Sequence, residues 1–264
     1  MASTRGLGRA FGKGRPSLVA YVMAGYPTRE TSLAALHALA DGGADLIELG
    51  VPYSDPLADG PTIVAAAEAA RANNEGGFGL AETITLAAEF IAAAGEGAPP
   101  VALMTYLNPL MRFGLPKVAA ALREAGVGGV IVPDLPPDMA KPWLAAAGDI
   151  DTVFLAAPTS TSERLAKVGS LASGFVYCVS TTGVTGERSE LPAELSELVE
   201  RVKAATELPV AVGFGISTPE QAALVAHHAD GVVVGSALVK RQEDARVLAA
   251  YVAELAAAVH GAAS

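Results

Sequence analysis

Two acids stand where chemistry can use them. Glu48 is the last polar step of the apolar run "ADLIELG", and Asp59 follows eleven positions later in "VPYSDPLADGP", a stretch rich in turn-forming residues. If Ile47 and Leu49 pack outward against helices, strand alternation turns Glu48 inward. Apolar walls would then lift its pKa toward neutrality, where a carboxyl group can both give and take protons. Its alternative is a structural Glu, paired with an Arg or held by backbone donors. Asp59 is read as a second, better solvated and permanently ionised carboxylate, so that two acids with separated pKa values share one site. Otherwise it caps the helix that starts after Gly60-Pro61.

The last quarter of the chain offers an anion cradle. "GFGIS" at 213–217 and "GSALV" at 235–239 each follow an apolar run. Gly215, Gly235 and Ser236 can bring backbone N–H groups close to a phosphate, a cradle that needs no charged side chain. No basic cluster is expected at these turns. Lys13, Lys117, Lys141, Lys167, Lys203 and Lys240 fall in helices or termini, so none is placed at a strand end for imine chemistry. His37, His227, His228 and His260 read as helical and lack ligand spacing, so no metal is expected. Carboxylate acid–base catalysis on a phosphorylated substrate is what remains.

Positioning these groups requires a regular scaffold. Eight short apolar runs, "LVAYVM", "DLIEL", "VALMTY", "GGVIV", "TVFLA", "FVYCV", "PVAVG" and "GVVVG", alternate with helical patterns such as "TSLAALHALADGG", "SERLAKVGSLA", "AELSELVERVKAA" and "TPEQAALVAHHA". Near-continuous apolar strands with crossover helices predict a parallel sheet covered on both faces, and eight units favour a closed (β/α)8 TIM barrel, an α/β fold. No linker divides residues 1–264, which are read as a single domain. Long connections at 51–77 and at 180–190, "STTGVTGERSE", follow the second and sixth strands, on the face where barrels carry their chemistry.

The net charge of −10 disfavours nucleic acid. Charges interrupt every apolar stretch before membrane-spanning length, and the basic start "MASTRGLGRAFGKGRPS" lacks the apolar core of a secretory signal. A cytoplasmic location is expected. The lone Cys178 suits a reducing compartment and reads as a small buried hydrophobe on a strand.

Taken in order, "ELGVPYSDPLADGPTI", "LMTYLNPL", "PDLP", "SGFVYCVSTTGVTGER", "GFGIS" and "GSALVK" resemble the tryptophan synthase alpha subunit over essentially the whole chain. Tyr53 stands where other members often have Phe, and Thr181 where some carry a basic residue. The resemblance implies a (β/α)8 lyase that cleaves indole-3-glycerol phosphate to indole and glyceraldehyde 3-phosphate. It implies an alpha2beta2 complex with a beta subunit that holds pyridoxal phosphate, with no cofactor in this chain. Glu48 is then the acid and base that protonates indole C3 and takes the proton of the chain hydroxyl, while Asp59 accepts the proton of N1. Tyr21, Tyr106 and Tyr177, placed at the ends of strands one, three and six, match substrate-lining positions. Thr185 and Gly186 match a lid that closes over Asp59 and the phosphate. Asn108, Pro109 and Pro136 match the partner surface. A phosphosugar isomerase or epimerase barrel is the competing enzyme class, distinguished by a strand-end His, Lys or metal set. A stand-alone indole-releasing lyase is distinguished by indifference to a beta subunit.

Overall fold

The computed structural model describes residues 6–57, 59–179, 192–213 and 215–262. Among the described residues nine parallel strands form one sheet: β1 (Ser17–Met23), β2 (Leu46–Gly50), β3 (Val101–Met104), β4 (Gly129–Ile131), β5 (Asp151–Val153), β6 (Leu155–Ala156), β7 (Val176–Val179), β8 (Val210–Gly213) and β9 (Gly231–Val234). Their lateral order is β5-β4-β3-β2-β1-β9-β8-β7-β6. The two edge strands are successive pieces of one extended segment, parted only at Phe154, so the ring closes through the chain itself. The run "TVFLA" read as one strand is therefore two: its first half pairs with β4 and its second with β7. Phe154 is buried on the helix side of the wall between them. The barrel is otherwise the eightfold one expected.

Side-chain parity divides the interior in two. Outward residues of the strands, among them Leu18, Ile47, Leu49, Leu103, Val130, Val212 and Val232, join the helices in one large apolar layer. Inward residues Val19, Leu46, Ala102, Ile131, Val153, Ala211 and Val233 form a separate plug with Leu7 and Phe11, which come from and just after the short helix Gly6–Ala10. That plug seals the N-terminal end of the barrel and leaves the other end for a site.

Helix starts follow local chemistry. Thr28, Thr161 and Thr218 accept from the backbone N–H three residues on, and Asp244 accepts from Arg246 and Val247. Each cap satisfies donors that have no partner within their helix. The long connection after β2 contains the helix Pro61–Asn73, whose N-cap is Gly60. His227 caps the helix Pro219–Ala226 and His228 lies in the turn beyond it, so neither is helical as expected. Among the described residues no helix is long and apolar enough to cross a membrane.

Candidate active site

The layer above the plug carries the polar residues. Tyr21 and Glu48 face each other in register on β1 and β2, and Ala102 on β3 is the next in the row. Glu48 is buried, and its Oε2 has no hydrogen-bond partner among the described residues. Desolvation first, and the nearby charge of Asp59 second, push its pKa from 4.5 up to about 8. At neutral pH this carboxyl holds its proton, as a general acid must.

Asp59 lies on the loop after β2 and is half-buried. It does not cap the following helix; instead its Oδ2 accepts a 3.0 Å hydrogen bond from the Tyr106 hydroxyl. Desolvation raises its pKa, and the Tyr106 bond opposes that rise. Buried Tyr106 stands two residues beyond β3, at the N-cap of the helix Leu107–Phe113. Its ring packs 5.2 Å from that of Tyr53, whose hydroxyl accepts from Asn108 at 2.8 Å. Asp134, on the loop after β4, accepts from the Leu107 N–H at 2.8 Å and fixes the same turn.

Tyr21 and Tyr177 were expected at strand ends and lie inside them, on β1 and β7. Both hydroxyls are held well above their ordinary pKa, chiefly by desolvation and then by the two carboxylates, so they stay neutral. Space for them comes from glycines one layer up. A Cβ at Gly50 would overlap the Tyr21 hydroxyl, and one at Gly213 the Tyr177 hydroxyl. Sequence reading passed over these two glycines, because their reason is a residue on the neighbouring strand.

Tyr21, Glu48, Asp59 and Tyr177 line one cavity of about 430 Å3, whereas Tyr106, expected to line it too, is not among its lining residues and reaches it through Asp59. Tyr21, Glu48 and Tyr177 stand on its wall with Met104 and Val233; Asp59, Gly60 and Ile63 flank it; Gly215, Ser217, Gly235 and Ser236 bound the far side. Gly215 has φ of +71° and is required there by the backbone alone. Gly235 is the N-cap of the four-residue helix Ser236–Val239. The expectation of no basic cluster at these turns is corrected: the adjacent Lys240 and Arg241 both line the cavity. Lys240 was assigned to a helix and Arg241 was not singled out; both lie in the turn after the helix Ser236–Val239.

Thr185 and Gly186 lie outside the described residues, as does the rest of the 180–190 connection. Exposed Asn108 and half-buried Pro109, expected in a loop, lie instead in the first turn of the helix Leu107–Phe113 after β3, and half-buried Pro136 lies on the connection after β4. Leu57, Met111 and Met139, in the segments that follow β2, β3 and β4, are exposed to 78%, 61% and 65% and were not singled out from sequence. Among the described residues no group of three or more His, Cys, Asp or Glu is placed to hold a metal ion. Cys178 is buried, and desolvation pushes its thiol up to about 12.

Fold and site together define a (β/α)8 barrel with two unlike carboxylates on one apolar cavity, the equipment of an acid–base enzyme acting on a small aromatic or apolar substrate with an anionic end. The family model described as tryptophan synthase alpha chain matches residues 8–263. The tryptophan synthase alpha chain of Mycobacterium intracellulare is 48% identical over 93% of this chain and 90% of its own length. That of Acidothermus cellulolyticus is 46% identical over 90% and 88%. Tryptophan synthase from Mycobacterium tuberculosis superimposes with a TM-score of 0.88 at 45% identity, covering 98% of this chain and 99% of that one. The tryptophan synthase a2b2 complex of Pyrococcus furiosus gives 0.82 at 42% identity, over 93% and 98%. The chain belongs to the tryptophan synthase alpha chain family, and with it goes the family's lyase activity in tryptophan biosynthesis, cleavage of indole-3-glycerol phosphate.

Proposed function

We propose that Glu48 and Asp59 carry out this cleavage as a pair. The observation that supports it is the buried, unpartnered oxygen of Glu48 on the wall of a cavity that Asp59 shares. Glu48, protonated at neutral pH, delivers its proton to indole C3 while Asp59 takes the proton of N1. The resulting indolenine can accept the electron pair of the bond between C3 and the glycerol chain. Glu48, now ionised, removes the proton of the adjacent chain hydroxyl, a carbonyl forms, the carbon–carbon bond breaks, and N1 recovers its proton from Asp59. Protons balance, and both acids return to their starting state. No cofactor enters this scheme.

Tyr21 and Tyr177 line the indole end, and Tyr106, behind Asp59, steadies that carboxylate. The phosphate lies toward Gly215, Gly235 and Ser236, with Gly186 and Thr185 of the 180–190 connection closing over it. The beta subunit, carrying pyridoxal phosphate, docks on the segments after β3 and β4 that hold Asn108, Pro109 and Pro136, in an alpha2beta2 assembly. The exposed Leu57, Met111 and Met139, on the segments that follow β2, β3 and β4, support that surface, since large apolar side chains left in water mark contact sites. The chain acts as one domain in the cytoplasm.

Indole release from indole-3-glycerol phosphate, measured with and without a beta subunit, tests the whole reading. The isolated chain should be slow and the complex much faster. Equal rates would favour the stand-alone lyase, and no indole in either case would remove the assignment.

A further inference from the structure

Arg241 is a cation without a carboxylate. It makes no ion pair among the described residues, on a chain that carries 28 acidic residues against 18 basic ones. One guanidinium nitrogen donates to the Ala237 carbonyl at 2.7 Å, and the guanidinium carbon sits 3.7 Å from the centre of the Tyr251 ring. The Tyr251 hydroxyl donates in turn to the Ser217 carbonyl. Arg241 is thereby strung between the turn that follows β9 and the turn that follows β8, the two turns that bound the far side of the cavity.

Its backbone is fixed as well. The next residue, Gln242, is fully buried; its amide accepts from the Met23 N–H at 3.0 Å and donates to the carbonyls of Met23 and Tyr26. Glu243, the nearest acid in sequence, is taken by the Tyr26 hydroxyl at 2.7 Å. A long side chain normally loses rotamer freedom when it binds an anion, and one already stacked and tethered loses less. Among the described residues the other N–H groups of this guanidinium have no hydrogen-bond acceptor, which leaves them for a ligand.

We propose that Arg241 is a charged arm of the substrate's phosphate subsite, supplementing backbone N–H groups with a fixed cation. This rests on the phosphate placement made above. Arg241 takes no part in proton transfer, so its contribution belongs to binding and leaves the chemical step alone.

Titration calorimetry with inorganic phosphate, together with steady-state kinetics on indole-3-glycerol phosphate in the complex with the beta subunit, tests it. Arg241→Gln keeps a donor for the Ala237 carbonyl and removes the charge. Its dissociation constant for phosphate and its KM should both rise roughly tenfold, the scale of one charge-assisted hydrogen bond, with kcat within about twofold of the parent. Added salt should raise the parent's KM more steeply than the variant's, because only the parent has the charge to screen. Arg241→Lys should recover part of the affinity. If Arg241→Gln binds phosphate as the parent does, or loses kcat with KM unchanged, Arg241 is not in the subsite. If the parent chain binds no phosphate, this inference and the phosphate placement beneath it fail together.

Discussion

The proton on Glu48 has consequences that can be read in both rate and stability. Its folded pKa of about 8 lies above the ordinary 4.5, so the folded chain binds a proton that the unfolded chain has released. Stability tied to Glu48 is therefore fully present below pH 4.5 and is lost as pH rises toward 8. Glu48→Gln keeps the shape and cannot ionise. The variant should melt close to the parent at pH 5 and above it at pH 8.5, with indole release lower by about 10² to 10⁴-fold. Near-normal turnover would end the assignment of Glu48, and parallel melting curves at both pH values would remove its buried proton. The parent's kcat/KM should fall as pH rises through about 8. Asp59 makes the opposite demand, since it must be ionised to accept a proton. The Tyr106 hydroxyl holds its pKa down against desolvation, so Tyr106→Phe should let it rise. The acidic limb of the pH–rate profile should then move to higher pH while the alkaline limb stays. A profile that merely scales down would show that Tyr106 packs against the site without tuning it.

Strand register decides which of these residues can meet. The parity argument from "ADLIELG" placed Glu48 inside the barrel correctly, because Ile47 and Leu49 are apolar enough to claim the helix side. The same argument gave direction and not depth. Tyr21 and Tyr177 were set at strand ends, whereas the ladder places them level with Glu48 and with Ala211 of β8. Strand ends are fixed by neighbours that a one-dimensional pattern does not name. The split at Phe154 was hidden for the same reason, since both halves of "TVFLA" are apolar and only their partners differ. Lys240 and Arg241 were hidden by a helix one turn long. What sequence did carry was the alternation of strands and helices and the two glycine turns, because each is set by residues adjacent in the chain. Gly213 tests the register directly. Gly213→Ala would drive a methyl group into the Tyr177 hydroxyl, and overpacking of this kind costs about 1–3 kcal/mol and displaces the ring. Activity should drop with it. Removing the hydroxyl relieves the closest overlap, so Gly213→Ala with Tyr177→Phe should be more stable than Gly213→Ala alone. Additive losses in urea denaturation would mean that the two side chains do not meet.

The barrel carries its chemistry at one end and is fastened at the other. Asp45, just before β2, is almost fully buried and gathers Lys13 at 2.8 Å, Arg15 at 3.0 Å and His260 at 2.7 Å, and it accepts from the Leu18 N–H of β1 at 2.9 Å. These partners come from the N-terminal segment, the first strand and the last helix, Ala245–Gly261. The clasp closes the ring beside the place where β1 meets β9. Burial alone would raise the Asp45 pKa, but hydrogen bonds from Arg15, Lys13, the Leu18 backbone and His260 outweigh it and hold the value at about 2, below the ordinary 3.8. The folded pKa is depressed, so the stability it lends is present above pH 3.8 and is lost as pH falls through 2. Asp45→Asn retains an acceptor for Leu18 and loses the charge that its cations share. Because those cations remain partly in water, the loss at pH 7 should be about 1–3 kcal/mol in urea denaturation, below that of a fully buried pair. Between pH 4 and pH 2.5 the gap between parent and variant should narrow. The kinetic constants for indole release should not change, since Asp45 lies at the N-terminal end of the strands and the cavity at the other. A gap that stays constant across that acid range would mean that the carboxylate charge is not what fastens the ring, and a fall in kcat/KM would mean that the two ends of the barrel are coupled.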